Sequence, residues 1–194
     1  MKSFVFATNN PNKLSEIRSM LDGHFKVLSL KDVDIQTEIP ETGDTLEANA
    51  LEKARFIYDR VKLPCFSDDT GLEIDALQGR PGVYSARYAG PNCSPDDNME
   101  KVLGEMQKAT QRAARFRTVI ALIEDEKETL FEGAVNGAIL TEKQGEKGFG
   151  YDPIYQPEGE TQSFAEMSAE AKNAISHRGR ATRKLAEFLL ASVS

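Results

Sequence analysis

The chain has 194 residues, 40% hydrophobic and 28% charged, with a formal net charge of −7, which is the composition of a soluble globular domain with a substantial core. The acidic balance argues against a surface that wraps nucleic acid, since a phosphate backbone requires a basic face. Two cysteines are too few for a disulfide framework and suit a reducing cytoplasm, and no apolar stretch approaches the roughly 20 residues of a bilayer-spanning helix, so no membrane partner is expected.

The first part of the chain alternates between predicted strands and helices. Residues 3–8 form an apolar run rich in strand formers, which leads through the polar loop TNNPNK into a segment with helical spacing from Leu14 onward. A second strand is expected at 25–30. The segment 34–44 is polar and contains proline and glycine, so it is expected to be a loop.

A second helix and a third strand are predicted after this loop. Asp44 and Glu47 fit a capping box, which predicts that the helix begins there. The strand around Phe66 is predicted to end at the adjacent acids at 68–69, where the Thr-Gly pair at 70–71 turns the chain into a further strand over GLEIDAL, residues 71–77.

The second half of the chain adds an antiparallel section. The Gly- and Pro-rich segment 79–93 is expected to be a long ordered loop, and the sequence leaves open whether it is a lid or an interface. Residues 116–125 and 128–140 are typical of an antiparallel pair, and 168–190 is predicted to be helical with a break at Gly179. These elements predict an α/β fold, a mixed sheet flanked by helices.

The loop at residues 8–13 combines features suited to an anion. A strand, loop and helix in this order place backbone N–H groups and the positive helix end at the loop. Thr8, Asn9 and Asn10 add side-chain donors, and Lys13 adds a cation. The Gly-rich phosphate-loop pattern is not present, so that mechanism is not implied. The competing interpretation is an Asn-rich turn with a helix cap.

Asp68 and Asp69 are neighbouring carboxylates that gain nothing structural from being adjacent. A hard cation such as Mg²⁺ prefers oxygen ligands and takes one or two carboxylates together with waters and substrate phosphate. Because side chains alternate along a strand, at most one of the two acids needs to be a direct ligand, and the other can act as a base. Glu41, in the preceding loop, is a candidate additional ligand. The alternative is a solvated acidic turn.

Two segments near the C-terminus carry groups suited to a planar base. Phe149 lies between two glycines and can stack on a base, while Asp152 can accept from a base N–H. Lys172, His177 and Arg178 supply several donors, but Lys172 and His177 converge only if the helix begins or breaks near them. The competing interpretations are a core-filling aromatic turn and a charged helix face.

The order of these motifs along the chain resembles the inosine triphosphate pyrophosphatase family, the dITP/XTP or non-standard purine NTP pyrophosphatases. The matching pieces are TNNPNK (8–13), PETG (40–43), SDDTGL (67–72), GRPGVYSARYAG (79–90), GFGYDP (148–153) and KNAISHRG (172–179). They span essentially the whole chain. Thr70 stands where many members carry serine, and the hydroxyl is kept.

The resemblance implies a role for each matching residue. Asp69, beside Asp68, takes the catalytic acid/base position, and Glu41 and Asp69 take the Mg²⁺ positions. The positions implied to bind substrate are Thr8, Asn9, Asn10, Pro11, Asn12, Lys13, Thr70, Phe149, Gly150, Tyr151, Asp152, Lys172, His177 and Arg178.

The resemblance also implies an architecture and an activity. Family members are homodimers, and each chain is one catalytic domain, here residues 1–194, with two lobes around a long mixed sheet and a substrate cleft. The implied activity is Mg²⁺-dependent hydrolysis of ITP, dITP and XTP to the monophosphate and pyrophosphate, which cleanses the nucleotide pool. The alternatives left open are a pyrophosphatase for other modified NTPs and a nucleotide-binding sensor without turnover.

Overall fold

Strands and helices alternate along the first part of the chain, which confirms the predicted order. The computed structural model describes residues 1–191. Its first elements are β1 (Ser3–Phe6), α1 (Pro11–Leu21), β2 (Lys26–Leu28), α2 (Leu46–Val61) and β3 (Cys65–Ile74). Helix α1 begins after Asn10, which is extended and accepts hydrogen bonds from the first turn of the helix, as an N-cap does.

The second half contains the predicted hairpin and two closely spaced helices. Its elements are β4 (Pro81–Gly82), α3 (Pro95–Glu105), β5 (Ala113–Glu124), β6 (Lys127–Ile139), β7 (Tyr155–Pro157), α4 (Ala169–Ile175) and α5 (His177–Ala191). Strands β5 and β6 are neighbours, joined by Asp125 and Glu126 with φ of 49° and 62°. Two residues of positive φ match the twist of a tight hairpin.

Three predicted local features are wrong. Helix α2 is capped by Thr45, whose side chain accepts from the N–H of Ala48, and not by the Asp44–Glu47 box. Strand β3 continues through Gly71 to Ile74, and β4 pairs with it at Leu72 and Glu73, directly after the glycine. The predicted helix over 168–190 breaks at the extended Ser176, and Gly179 lies inside α5.

The strands form one mixed sheet flanked by five helices within residues 1–191, which confirms the predicted α/β class. Their order is β2-β1-β3-β5-β6-β7, and β4 pairs with β3. Strand β1 is parallel to β2 and β3, whereas β3–β4 and β6–β7 are antiparallel. Of the helices described, none has the length and apolar character needed to cross a membrane.

The chain divides into two compact units, each with its own core. The first unit comprises residues 1–69, 118–133 and the segment from 179, and its core includes Phe6, Ile17, Phe66, Leu122 and Leu185. The second comprises residues 70–117 and 134–178, and its core includes Leu72, Val102, Phe116, Tyr155 and Phe164. Strands β3, β5 and β6 each contribute residues to both units, and β3 changes unit between Asp69 and Thr70.

Candidate functional site

The loop between β1 and α1, in the first unit, holds the first group of predicted site residues. Asn10 is the N-cap of α1, and its side-chain oxygen accepts from the N–H groups of Asn12 and Lys13 at 3.0 and 3.3 Å. The N–H of Asn10 donates to Thr8 Oγ1 at 3.1 Å. The helix-cap interpretation therefore describes Asn10, and these backbone donors are already used. The exposed side chains of the loop are those of Asn9, Pro11 and Asn12.

Lys13 connects this loop to strand β3. Its Nζ lies 3.2 Å from Oδ1 and 3.1 Å from Oδ2 of Asp68, which is 1% exposed. Strands β1 and β3 pair in parallel, and the Ala7 N–H donates to the Phe66 carbonyl at 2.8 Å. This pairing places the segment that carries Lys13 beside Asp68. A buried carboxylate needs such a partner, because an isolated charge in the interior is costly.

Asp69 is engaged by helix α2 rather than by α1. Asn49 Nδ2 donates to Asp69 Oδ2 at 3.0 Å, and Lys53 Nζ lies 3.8 Å from Oδ1. Asp68 thus accepts from Lys13 in α1 and Asp69 from Asn49 in α2, as alternation of side chains along a strand allows. Both are buried, so the alternative of a solvated acidic turn is wrong. Burial raises the pKa of Asp69 above its usual value, against the attraction of Lys53 and Lys13.

Lys53 lies among these acids, and sequence reasoning missed it. Its Nζ donates to Glu41 Oε1 and, at 2.7 Å, to the backbone carbonyl of Asp68. Burial would lower the pKa of this ammonium, but the attraction of Asp69, Glu41 and Asp68 outweighs burial and raises it. Lys53 is therefore a buried cation that holds the acids in place. Glu41, Asp68, Asp69, Lys13 and Lys53 are called the acid–lysine cluster below.

The sequence of α2 carried a signal for Lys53. The buried face of this helix is formed by Leu46, Asn49, Ala50, Lys53, Ala54 and Ile57. Asn49 and Lys53 are one helical turn apart on a stripe that is otherwise apolar, and such residues are seldom buried unless they are paired. Two polar residues at these positions indicate a polar partner facing the helix, and Asp69 is that partner for both.

The acid–lysine cluster fits a divalent cation by its chemistry. Glu41 and Asp69 both direct carboxylate oxygens at the Lys53 ammonium, so two hard oxygen donors already converge on one positive charge. Across residues 1–191, no three His, Cys, Asp or Glu side chains come together as a pre-formed metal centre. Mg²⁺ does not require one, because it takes one or two carboxylates and completes its shell with water and phosphate.

A second group of predicted residues surrounds Phe149 in the second unit. Asp152 is buried, and its Oδ2 accepts from the N–H of Phe149 at 3.0 Å and from Lys172 Nζ at 2.7 Å. Lys172 Nζ lies 4.6 Å from the Phe149 ring centroid, and the Arg178 guanidinium carbon lies 5.3 Å from it. Arg178 also donates to Thr70 Oγ1 at 3.3 Å. These five residues are called the phenylalanine–cation cluster.

The helix break at Ser176 allows both cations to approach Phe149. Lys172 lies in α4 and Arg178 in α5, and the extended backbone of Ser176 separates the two helices. On one continuous helix, residues six apart diverge by about 120°. Lys172 and Arg178 are 5% and 2% exposed, so the alternative of a charged, solvated helix face is wrong.

Tyr151 and His177 are both buried in the core of the second unit. His177 stacks on Phe116, with ring centroids 4.5 Å apart and an interplanar angle of 14°. Tyr151 is 5% exposed, and its hydroxyl donates to the Ser85 carbonyl at 2.6 Å. The interpretation as a core-filling aromatic turn therefore describes Tyr151, while Phe149 is half-buried.

Glycine is required in the turn that carries Phe149. Gly148 and Gly150 have φ of 72° and 62°, in the region that favours glycine. A Cβ at Gly148 would lie 2.1 Å from Asp152 Oδ2, whereas one at Gly150 would meet nothing within 4 Å. Gly148 is therefore fixed by Asp152 as well as by its backbone conformation.

Comparison with known proteins gives one consistent result. The family model of the Ham1 family matches residues 4–188. A dITP/XTP pyrophosphatase of Porphyromonas gingivalis is 52% identical over 191 residues, 98% of each chain, and one of Bacillus subtilis is 44% identical over 97% of this chain and 98% of its own. The structure of the Staphylococcus aureus Ham1 protein matches with a TM-score of 0.89 at 38% identity, covering 98% of this chain and 100% of that one.

Proposed function

The chain belongs to the Ham1 family, and on this premise we propose that it hydrolyses the non-standard purine nucleoside triphosphates ITP, dITP and XTP to the monophosphate and pyrophosphate. The enzyme cleaves the anhydride between the α and β phosphates and so removes deaminated purines from the precursors of DNA and RNA. The observation that carries the proposal is the acid–lysine cluster, since transfer of a phosphoryl group needs cations on the phosphates and a carboxylate for the water.

Glu41 and Asp69 are the residues that would hold Mg²⁺. When bound there, Mg²⁺ offsets charge on the phosphoryl oxygens and lowers the pKa of a bound water. Lys53 keeps the two carboxylates in place, and its ammonium supplies a further positive charge for the triphosphate.

Asp69 orients the attacking water and takes its proton. Asn49 fixes one oxygen of the carboxylate, which sets the orientation that proton transfer requires. Asp68 holds Lys13, whose ammonium supports the negative charge of the departing pyrophosphate. The side chains of the loop at 8–12 bind the triphosphate beside it. Full turnover by Asp69→Asn would contradict this assignment.

The phenylalanine–cation cluster recognises the purine. The Phe149 ring stacks on the base, and Lys172 and Arg178 supply donors for O6, which hypoxanthine and xanthine carry where adenine has an amino group. Adenine would leave those donors unpaired, and such a polar mismatch discriminates strongly. Guanine also carries O6, so GTP is rejected at its 2-amino group.

The remaining residues of this site act through these contacts. Asp152 orients Lys172, and Thr70 orients Arg178. His177 stacks on Phe116 and supports the aromatic side chains of this unit's core. Gly150 and Tyr151 shape the turn that presents Phe149.

The proposal extends to the organisation of the protein. Residues 1–194 act as one catalytic domain of two lobes, which is supported by relatives that match over 98% of both chains. The chain works as a cytoplasmic homodimer without nucleic-acid or membrane partners, and two free cysteines suit that compartment. Sedimentation equilibrium is expected to give twice the chain mass of 21.5 kDa; a monomer at assay concentrations would contradict the dimer.

A product assay tests the activity. The purified chain is incubated with Mg²⁺ and, separately, with ITP, dITP, XTP, ATP, GTP and dUTP, and the nucleotide products are resolved while pyrophosphate is distinguished from phosphate. The expected result is IMP with pyrophosphate from ITP, and turnover of ITP, dITP and XTP far ahead of ATP and GTP. Release of IDP with phosphate would overturn the assignment of the α–β bond. Binding without any turnover would replace the enzyme with a sensor, and preference for dUTP would move the substrate class to other NTPs.

A further inference from the structure

Ser85 connects three of the motifs that the sequence contains, two of which the proposed function uses. It lies in a short 3₁₀ turn in the segment 79–93 and is 7% exposed. Its Oγ donates to the Gly82 carbonyl at 2.6 Å and accepts from the Leu72 N–H at 2.9 Å. Its carbonyl accepts from the Tyr151 hydroxyl at 2.6 Å. One buried residue thus links strand β3, the segment 79–93 and the turn that carries Phe149.

The contact with Tyr151 fixes the turn of the phenylalanine–cation cluster. Tyr151 lies in the chain between Phe149, which is proposed to stack on the base, and Asp152, which holds Lys172. Burial raises the pKa of Tyr151, so its hydroxyl remains a donor at physiological pH. The Tyr151 backbone is part of the turn, and the Tyr151 hydroxyl is hydrogen-bonded to the Ser85 carbonyl. The side chain of Tyr151 therefore ties the turn to Ser85.

The contact with Leu72 fixes the part of strand β3 that carries Thr70, another member of the phenylalanine–cation cluster. Leu72 follows Thr70 by two residues in β3, and Thr70 Oγ1 accepts from Arg178. The Leu72 N–H donates to the Ser85 hydroxyl, so removal of the hydroxyl would take this hydrogen bond away from a buried donor. Ser85 thereby holds two parts of the cluster at a fixed distance from each other. One part is Thr70 with its partner Arg178, and the other is Phe149.

The segment 79–93 is itself held against α3, so Ser85 stands on a fixed support. Asn98 Oδ1 accepts from the Ala89 N–H at 2.8 Å, and its Nδ2 donates to the Ala86 carbonyl at 3.2 Å. Tyr88 donates to Glu105, and Lys101 Nζ donates to the Tyr88 carbonyl at 2.9 Å. Of the two roles that the sequence left open for this segment, these contacts disfavour a freely moving lid.

We propose that Ser85 is a positioning residue for purine recognition, acting through Tyr151 on Phe149 and through Leu72 on the Thr70–Arg178 pair. This inference rests on the proposed function, because it assumes that the phenylalanine–cation cluster binds the base. Ser85 takes no part in phosphate binding or water attack. Loss of its contacts should weaken binding of the base and leave binding of the polyphosphate unchanged.

The test uses Tyr151→Phe with Tyr155→Phe as the matched control. Both substitutions remove one hydroxyl from a buried tyrosine of the second unit, and Tyr155 donates to the Val135 carbonyl at 2.6 Å instead of to Ser85. Ser85→Ala, which keeps the carbonyl and removes the hydroxyl, is the second variant. Each protein is measured for KM and kcat with ITP and GTP, and for inhibition by IMP and by inorganic tripolyphosphate.

The expected result is a selective loss in base recognition. For Tyr151→Phe and Ser85→Ala, KM for ITP and the inhibition constant of IMP rise roughly two- to tenfold, the change that one lost hydrogen bond produces. The preference for ITP over GTP falls, while kcat and the inhibition constant of tripolyphosphate stay as in the unsubstituted chain. Tyr155→Phe keeps all five of these values.

Two other outcomes separate the possible failures. Equal effects of Tyr151→Phe and Tyr155→Phe, or parallel weakening of IMP and tripolyphosphate, would overturn the positioning role, since a general loss of structure produces that pattern. An unsubstituted chain that does not prefer ITP or XTP over GTP and ATP would overturn the proposed function, whatever the variants do.

Discussion

Lys53 offsets the negative charge of two acids in the acid–lysine cluster. Two carboxylates and a backbone carbonyl surround its ammonium, and the attraction of the acids outweighs the effect of burial on its pKa. Such a cation can be structural and functional together, because it holds Glu41 and Asp69 where a metal and a triphosphate would need them. Its removal should therefore change stability in a way that depends on Mg²⁺.

We expect Lys53→Met to lose about 3 kcal/mol of the free energy of unfolding in EDTA, since removing one partner of a buried pair leaves the other charge uncompensated. Mg²⁺ should restore part of this loss by taking over the carboxylates, so its stabilising effect should exceed that on the unsubstituted chain. Urea unfolding followed by circular dichroism, with EDTA and with Mg²⁺, measures both quantities.

The control for this substitution is Lys62→Met. Lys62 makes an exposed ion pair with Asp59 at 3.5 Å, and such pairs contribute roughly 0 to 1 kcal/mol. Its stability and its response to Mg²⁺ should match those of the unsubstituted chain. An equal response to Mg²⁺ in Lys53→Met would contradict the assignment of these acids to a metal.

The burial of Cys65 makes the stability of the protein depend on pH in the alkaline range. It is fully buried, its thiol donates to the Ala54 carbonyl at 3.3 Å, and burial raises its pKa from 9.0 to about 12. The unfolded chain ionises this thiol at lower pH than the folded chain does. The contribution of the protonated thiol to the free energy of unfolding is therefore complete below pH 9. It is lost as the pH rises toward 12, at about 1.4 kcal/mol per pH unit.

Cys65→Ala should show a shallower loss of stability above pH 9 than the unsubstituted chain, although it starts from a lower value at pH 7 because it leaves a small cavity. Unfolding by urea at a series of pH values from 7 to 11 gives both curves. Parallel curves over the alkaline range would show that Cys65 is not the group responsible.

At the scale of single elements, the turn over residues 148–152 depends on one glycine more than on the other. Gly148→Ala and Gly150→Ala both place a side chain in left-handed backbone, which costs about 1–2 kcal/mol. Only Gly148→Ala also drives a Cβ against Asp152, whose oxygen holds Phe149 and Lys172. We expect it to lose at least about 2 kcal/mol more stability than Gly150→Ala, by urea unfolding; equal losses would mean that Asp152 can move without cost.

The same elements show how far local sequence patterns reach. The α/β class, α1 with its Asn10 cap and the β5–β6 hairpin follow from spacing and turn chemistry, which are local properties. The course of β3 does not, because Gly71 favours a turn in isolation, whereas in the fold the residues that follow it pair with β4, which is distant in local sequence terms. The sequence also predicts the helix break at Gly179 instead of at Ser176, since glycine is the stronger local signal.

The candidate site was predictable where its residues form contiguous motifs. Asp68, Asp69, Lys13 and the residues around Phe149 stand in motifs whose residue types indicate their chemistry. The roles of Lys53 and Ser85 instead depend on partners that are distant in the chain. Their roles depend on which surfaces meet in the fold, and a single sequence does not specify this. Lys53 left a weak signal as a polar residue on an apolar helix face; Ser85 lies in the matching motif at 79–90, but the motif assigns it no role.

At the scale of the whole molecule, the two units have separate cores but share strands. Each core consists of residues from one unit, and the acid–lysine and phenylalanine–cation clusters divide in the same way. Strands β3, β5 and β6 nevertheless contribute residues to both units, and Asp69, the proposed catalytic residue, precedes Thr70 directly. Unfolding of either unit would remove segments of strands that the other unit also uses, so the chain should unfold cooperatively.

Two tryptophan variants test this cooperativity, because the chain contains no tryptophan of its own. Phe131→Trp places a probe at the core of the first unit, and Leu103→Trp places one against the core of the second. Each variant is unfolded in urea and followed by fluorescence and by circular dichroism. We expect the two signals to share one midpoint within each variant, since a two-state transition gives the same curve by every probe. If instead fluorescence precedes circular dichroism in one variant and follows it in the other, the units unfold separately, and the shared strands do not couple them.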